Sequence, residues 1–110
     1  MITIIWRGWT TPENAAAYQR LLLDEIFPGI TNRRIAGYRG ISLLRRDGDH
    51  EIAFVTIMWF DSIASVRAFA GDHYETAVVP PKARALLDKF DERSAHYETI
   101  VPPPGRLCPA

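Results

Sequence analysis

The sequence of 110 residues has few of the features that mark several large classes of protein. It contains one cysteine, Cys108, so no internal disulfide can form. Thirteen basic and thirteen acidic residues cancel without long blocks of one sign, which argues against nucleic acid or anionic membranes as partners. The N-terminal apolar run breaks at Arg7 and follows no basic segment, so we expect no signal peptide, no membrane span and a cytoplasmic location.

Recognised catalytic and metal-binding motifs are also missing. The three histidines, His50, His73 and His96, are far apart, and none has a second histidine three or four residues away, so we expect no metal site. The glycines are too scattered for a phosphate-binding loop, and no G-x-S-x-G elbow is present. The candidates for chemistry are therefore isolated polar groups among aromatic residues, and we predict no cofactor.

The most informative stretch that the chain does contain is EIAFVTIMWF, residues 51–60, which has apolar side chains on both faces of an extended strand. One face carries Ile52, Phe54, Met58 and Phe60, and the other carries Ala53, Val55, Ile57 and Trp59. Near-continuous runs of this kind are typical of strands that are covered on both sides. Thr56 alone interrupts the pattern.

Alternating and apolar patterns predict strands over residues 2–10, 38–47, 51–60 and 93–101. Gly48-Asp49 is the predicted turn of a hairpin between the second and third of these strands. The triple proline that begins at Pro102 cannot extend a strand. We therefore expect one domain over residues 1–101 and a proline-rich tail over residues 102–110.

Capping residues predict the helices. A first helix is expected to begin at Thr11-Pro12 and to end at Pro28-Gly29, with a further turn over 31–34. Asp61-Ser62 and Gly71 bound a second helix. Shorter helical segments are expected over 73–79 and 82–88.

The predicted order β-α-β-β-α-β is typical of an α+β ferredoxin-like (split βαβ) fold, with helices on one face of a four-stranded antiparallel sheet. No residues remain to cover the other apolar face. Burial of one large apolar side chain is worth roughly 1.5–3 kcal/mol, so an exposed sheet face would forgo several such contributions. A second copy of the chain, packed sheet against sheet, would supply the missing layer, and we predict a homodimer.

Several segments resemble the antibiotic biosynthesis monooxygenase family, of the dimeric α/β barrel superfamily. They are the aromatic first strand, the run FVTIMWFDS with a helix ending near Phe69, the segment DHYETAVVPPKA and the last strand HYETI. The resemblance covers nearly all of residues 1–101. It implies a homodimer with a cavity between each sheet and its helices. Some family members oxygenate polycyclic phenols without metal, flavin or haem, others degrade haem, and many have no assigned activity.

The resemblance transfers few individual residues. Trp59 matches a tryptophan that the family places at the end of this strand, facing the cavity. The haem-degrading branch has an Asn on its first strand, where this chain offers Trp6 and Arg7. Val78 stands where that branch has its haem-ligating His, so the resemblance provides no axial haem ligand at this position.

Arg7 and His96 are candidate catalytic residues. Arg7 lies between Ile5 and Trp9 on one strand face, where its guanidinium can hold an anionic or phenolate oxygen, cross a dimer contact or extend to the rim. His96 and Tyr97 point to opposite faces of their strand, and one of them should face the interior. His96 is then either a general base for a phenol or a structural histidine.

His73 and Tyr74 fall in the segment expected to border the cavity mouth, although capping and packing explain them nearly as well. The hypothesis drawn from the sequence is a cofactor-independent, monooxygenase-like enzyme acting on an aromatic, phenolic or quinone-like small molecule. Trp6, Trp59 and Tyr74 would bind that molecule, with Arg7 on the anion and His96 or His73 on the proton. The alternatives are a dimeric binding or structural domain without catalysis, or isomerase or haem chemistry on the same scaffold.

Overall fold

The computed structural model of the chain describes residues 1–77 and 79–103. These residues form five strands and four α-helices. The strands are β1 (Ile2–Thr10), β2 (Tyr38–Asp47), β3 (Ile52–Phe60), β4 (Lys89–Phe90) and β5 (Ala95–Glu98). The helices are α1 (Pro12–Leu21), which continues through a π-helical turn (Leu22–Ile26) into α2 (Phe27–Asn32), then α3 (Ile63–Ala70) and α4 (Pro81–Leu86). None of the described helices has the length and hydrophobicity needed to span a bilayer.

The strands form one antiparallel sheet with β1 and β3 at its centre. These two strands pair along their whole length, from Ile2 opposite Phe60 to Thr10 opposite Ile52. β2 pairs with the far side of β3, while β4 and β5 pair with two different parts of β1. The predicted α+β fold with an antiparallel sheet is confirmed, and it is the ferredoxin-like arrangement.

The strand predicted over residues 93–101 is wrong in its bounds. β5 is limited to Ala95–Glu98, and β4, which was not predicted, precedes it. The chain changes partner between the two, because Arg93 bridges to Thr76 rather than to β1. After β5 the apolar side chains of Ile100 and Val101 are each 83% exposed.

The first helical region also differs from its prediction, because it continues past Pro28-Gly29 to Asn32. The π-helical turn allows this: the N–H of Phe27 donates to the carbonyl of Leu22, five residues back. Pro28 then lies in the first turn of α2, where a missing N–H is tolerated.

The predicted caps of α1 and α3 are confirmed, but the segment after α3 is not helical. The Oγ1 of Thr11 and the Oγ of Ser62 each accept an N–H in the first turn, and Gly71 ends α3 at a φ of 84°. Residues 72–75 form a turn closed by the N–H of Thr76 on the carbonyl of His73. The helix predicted over 73–79 is therefore wrong as far as residue 77, and Val78 lies outside the described residues.

The two faces of the sheet differ in what covers them. On one face, Ile52, Phe54, Met58 and Phe60 are buried beneath the helices. On the other face, Val55 and Ile57 are half-buried, and Leu44 and Tyr97 are 50% and 54% exposed. No described helix packs on this second side, which we call the open face.

We propose that a second copy of the chain covers the open face, and we expect light scattering to give twice the chain mass of 12.5 kDa. Ile57→Asp should shift the protein toward monomer, because it puts a carboxylate into an apolar contact between two sheets. Leu23→Asp is the matched control, since Leu23 is 50% exposed on the helical side. A wild-type monomer at micromolar concentration would contradict the proposal.

Candidate functional site

A cavity of about 330 Å³ lies between the covered face of the sheet and the helices. The buried side chains form two clusters rather than one continuous core, one centred on Phe54 and Tyr18 and the other on Phe60 and Val66. Both clusters contribute walls to the cavity, which is therefore largely apolar. Its apolar lining includes Ile4, Trp6, Leu22, Ile26, Phe27, Ile30, Ile41, Met58, Phe69, Val79 and Ala83.

A small number of polar side chains interrupt this apolar lining. They are Tyr18, Arg33, Thr56, Tyr74, Thr76, Ser94 and His96. Apolar walls with a few convergent polar groups are the usual composition of a small-molecule site, and the volume is at the lower end of the common range. The cavity is therefore the candidate functional site.

His96 reaches the cavity because it pairs with Ile4 on β1, whose side chain is on the covered face. Its Nδ1 lies 2.9 Å from the backbone carbonyl oxygen of Ser94. A carbonyl can only accept, so Nδ1 carries the hydrogen and Nε2 presents a lone pair. Nε2 is buried and has no hydrogen-bond partner among the described residues. The tautomer thus leaves an unpaired proton acceptor on a residue that lines the cavity.

Two tyrosines, Tyr18 and Tyr74, also line the cavity. The ring of Tyr74 meets the imidazole of His96 edge-on, with 5.0 Å between ring centroids. Tyr18, on α1, is almost completely buried, and its ring lies 5.0 Å from that of Phe54. Burial raises the pKa of Tyr18 to about 12, because the phenolate loses its hydration there. Tyr18 is therefore a neutral hydroxyl across the physiological pH range.

Trp6 lines the cavity, and contacts on the C-terminal segment fix the orientation of its ring. Its Nε1 donates to the backbone carbonyl of Asp91 at 2.7 Å, and its ring packs 6.0 Å from that of Phe90. Thr56 lies directly opposite Trp6 in the β1–β3 pairing. The single polar interruption of β3 is thus a cavity residue.

Three predicted site residues do not line the cavity. Arg7 follows Trp6 on β1 and therefore points to the open face, where its guanidinium forms two hydrogen bonds to the Asp91 carboxylate, at 2.8 and 3.1 Å. Trp59 is opposite Thr3 on the same open face, so its expected position facing the cavity is wrong. His73 is exposed in the turn after α3.

The other cavity residues carry weak sequence signals. Tyr18 has the spacing of an apolar core residue on α1, and Thr56 interrupts an apolar strand without indicating a role. Arg33 follows Pro28-Gly29, a pair typical of a helix end, so the sequence does not connect it with a cavity. Ser94 acts through its backbone carbonyl, which no side-chain pattern can reveal.

Residues 1–77 and 79–103 contain no group of three or more His, Cys, Asp or Glu side chains placed to hold a metal ion. Val78, the position compared with a haem ligand, and Cys108 lie outside the described part of the chain.

No protein-family model matches the chain, and no curated protein matches it. Solved structures do. An antibiotic biosynthesis monooxygenase-type protein from Bacillus cereus aligns with a TM-score of 0.59 and 11% identity, over 96% of this chain and 97% of that one. The Rv0793 protein of Mycobacterium tuberculosis aligns with a TM-score of 0.57 and 20% identity, over 92% of this chain and 96% of that one. SnoaB, a cofactor-independent oxygenase from Streptomyces nogalater, aligns with a TM-score of 0.55 and 21% identity, over 94% of this chain and 97% of that one. The chain therefore shares the fold of these proteins along most of its length.

The geometry at His96 predicts its tautomer. Long-range ¹H–¹⁵N NMR spectra of the neutral imidazole should show a protonated Nδ1 and an unprotonated Nε2, since Ser94 can only accept. The exposed His50 and His73 serve as references in the same spectrum. A spectrum with hydrogen on Nε2 of His96 would remove the proposed acceptor.

The burial of Tyr18 predicts a loss of stability at high pH. The unfolded chain releases this proton near pH 10, whereas the folded chain holds it until the raised pKa of about 12. The stabilisation is complete below pH 10 and is lost between pH 10 and 12, amounting to about 2–3 kcal/mol.

Urea unfolding at several pH values should therefore show that Tyr18→Phe gains stability relative to wild type over this interval. Tyr97→Phe, at a 54% exposed tyrosine, is the control and should follow wild type. Parallel pH profiles for Tyr18→Phe and wild type would contradict the prediction.

Proposed function

We propose that the protein is a cofactor-independent oxygenase that transfers oxygen from O₂ to a phenolic or quinone-like aromatic molecule bound in the cavity. The observation that carries the proposal is the buried Nε2 of His96, which has no partner among the described residues. A buried polar atom without a hydrogen bond costs about 1–3 kcal/mol, and a ligand hydroxyl would remove that cost. A phenol supplies both that hydroxyl and a ring for the apolar walls.

The walls support an aromatic ligand. Trp6, Phe27, Phe69 and Tyr74 contribute rings to the cavity lining, and such rings favour offset or edge-on contact with another aromatic system. The apolar lining would also exclude water once a ligand is bound, which protects reactive oxygen intermediates.

In the proposed reaction, Nε2 of His96 accepts the phenolic proton. The carbonyl of Ser94 stabilises the resulting imidazolium by accepting the Nδ1 hydrogen, as it does in the free protein. The electron-rich phenolate then transfers an electron to O₂, and the two radicals combine at a ring carbon to form a peroxide.

Loss of the hydrogen from that carbon and cleavage of the O–O bond give the quinone carbonyl. The distal oxygen leaves as water, with a proton returned by the imidazolium. One phenol and one O₂ thus become one quinone and one water. The substrate supplies all four electrons, so the reaction needs no external reductant.

The fold gives independent support, because SnoaB is a cofactor-independent oxygenase with the same architecture. Trp6 and Tyr74 have the proposed binding role, and Tyr18 adds a neutral hydroxyl donor. Arg7, Trp59 and His73 receive no role in the cavity of their own protomer, since none of them lines it.

The test is O₂ consumption by metal-free protein with a panel of phenols such as 1-naphthol, without added nicotinamide or flavin. His96→Ala should lower the rate about 10²- to 10⁴-fold, the usual contribution of a general base.

Two further variants complete this experiment. His50→Ala, in the hairpin turn, is the matched control and should retain the wild-type rate. His73→Ala tests the other histidine that the sequence suggested, and a large loss there would move the base to His73. Phenols that bind without turnover would favour a binding domain instead, while full activity in His96→Ala would remove the proposed mechanism.

A further inference from the structure

Arg33 brings a permanent charge to the cavity lining, and no acidic or lysine side chain lines the cavity with it among the described residues. We infer that the ligand is an anion: a phenolic aromatic acid whose carboxylate binds the guanidinium of Arg33. The inference rests on the proposed function, which assigns the phenolic hydroxyl of the same molecule to His96. It goes further by naming the second functional group of the ligand.

Neighbouring residues hold the guanidinium of Arg33 at the cavity. Its central carbon lies 5.4 Å from the centroid of the Phe69 ring, which also lines the cavity. Its Nη2 donates to the backbone carbonyl of Ala68 at 3.3 Å. These contacts limit the motion of a long side chain, so less conformational entropy is lost when a ligand binds.

The hydrogen-bonding capacity of this guanidinium is mostly unused. Nη2 to Ala68 is its one hydrogen bond in the described part of the chain, and no acidic side chain lies within ion-pair distance of it there. Arg7, Arg39 and Arg45, by contrast, each have a carboxylate partner. A guanidinium offers several N–H donors in a planar fork that matches a carboxylate, so Arg33 can bind one without breaking an ion pair.

The difference in exposure between Arg33 and His96 predicts how the ligand is oriented in the cavity. Arg33 is an exposed residue, whereas Nε2 of His96 is buried. A carboxylate at Arg33 keeps contact with water while the rings enter the apolar interior, which avoids the large penalty for burying a charge. In this orientation the phenolic end is directed toward the interior, where Nε2 of His96 has no hydrogen-bond partner among the described residues.

The test compares two probes of the same shape, 6-hydroxy-2-naphthoate and 6-hydroxy-2-naphthamide, by calorimetry with oxygen excluded. Wild type should bind the naphthoate about 10- to 100-fold more tightly than the amide, the range expected for a charge-assisted hydrogen bond. Arg33→Gln should remove this preference and leave the affinity for the amide unchanged. Arg34→Gln is the matched control, because this exposed neighbour does not line the cavity, and it should behave as wild type.

Arg33 also follows the last residue of α2, where a cation is favourable to the helix end. If that is its entire role, Arg33→Gln will weaken both probes equally, and this result would overturn the inference. Failure of wild type to bind either probe, or to distinguish them, would overturn it as well. If Arg33→Gln does not fold, the test uses wild type alone. Added salt must then lower the affinity for the naphthoate and leave the affinity for the amide unchanged.

Excluding oxygen separates this inference from the proposed function. Binding of the naphthoate through Arg33 without later O₂ consumption would retain the anion site and reject the oxygenase. Turnover of neutral phenols, with no preference for binding the naphthoate over the amide, would retain the oxygenase and reject the anion site.

Discussion

The antiparallel register of β1 against β3 and β5 is the constraint on which the site depends. Because side chains alternate along a strand, a shift of one residue would exchange every residue between the covered face and the open face. The observed register turns Trp6 and His96 toward the helices and turns Arg7 and Trp59 away from them. The pairing thus determines which groups can meet a ligand in the cavity.

Packing above this sheet leaves a cavity because the helices do not close over it completely. One cluster of buried side chains forms beneath α1 and α4, another forms beneath α3, and the cavity is bounded by both. The π-helical turn contributes Leu22 and Ile26 to its wall while the helix continues past Pro28. A mostly apolar cavity that includes a residue with an unpaired nitrogen contributes less to stability than a fully packed core, and we propose that it binds a ligand.

The sequence predicted the parts of the fold that local patterns determine. The bounds of β1 and β2 match their predictions, because long alternating or apolar runs end at strong turn and capping signals. The last strand is shorter than predicted because Arg93 pairs with Thr76, a contact that depends on tertiary structure. The site is less predictable from the sequence. The alternation of side chains along a strand indicates which residues share a face, but it does not indicate which face the helices cover. For that reason the sequence does not distinguish His96 from Tyr97. The cavity position expected for Trp59 came from the family resemblance and not from the alternation.

We propose that the ligand binds under the helices with its hydroxyl at His96, and the decisive measurement is a crystal structure of the protein with 1-naphthol, prepared without oxygen. We predict naphthol density in the cavity with the phenolic oxygen about 2.6–3.2 Å from Nε2 of His96. Density on the open face beside Trp59 and Tyr97, with the cavity unoccupied, would contradict the claim.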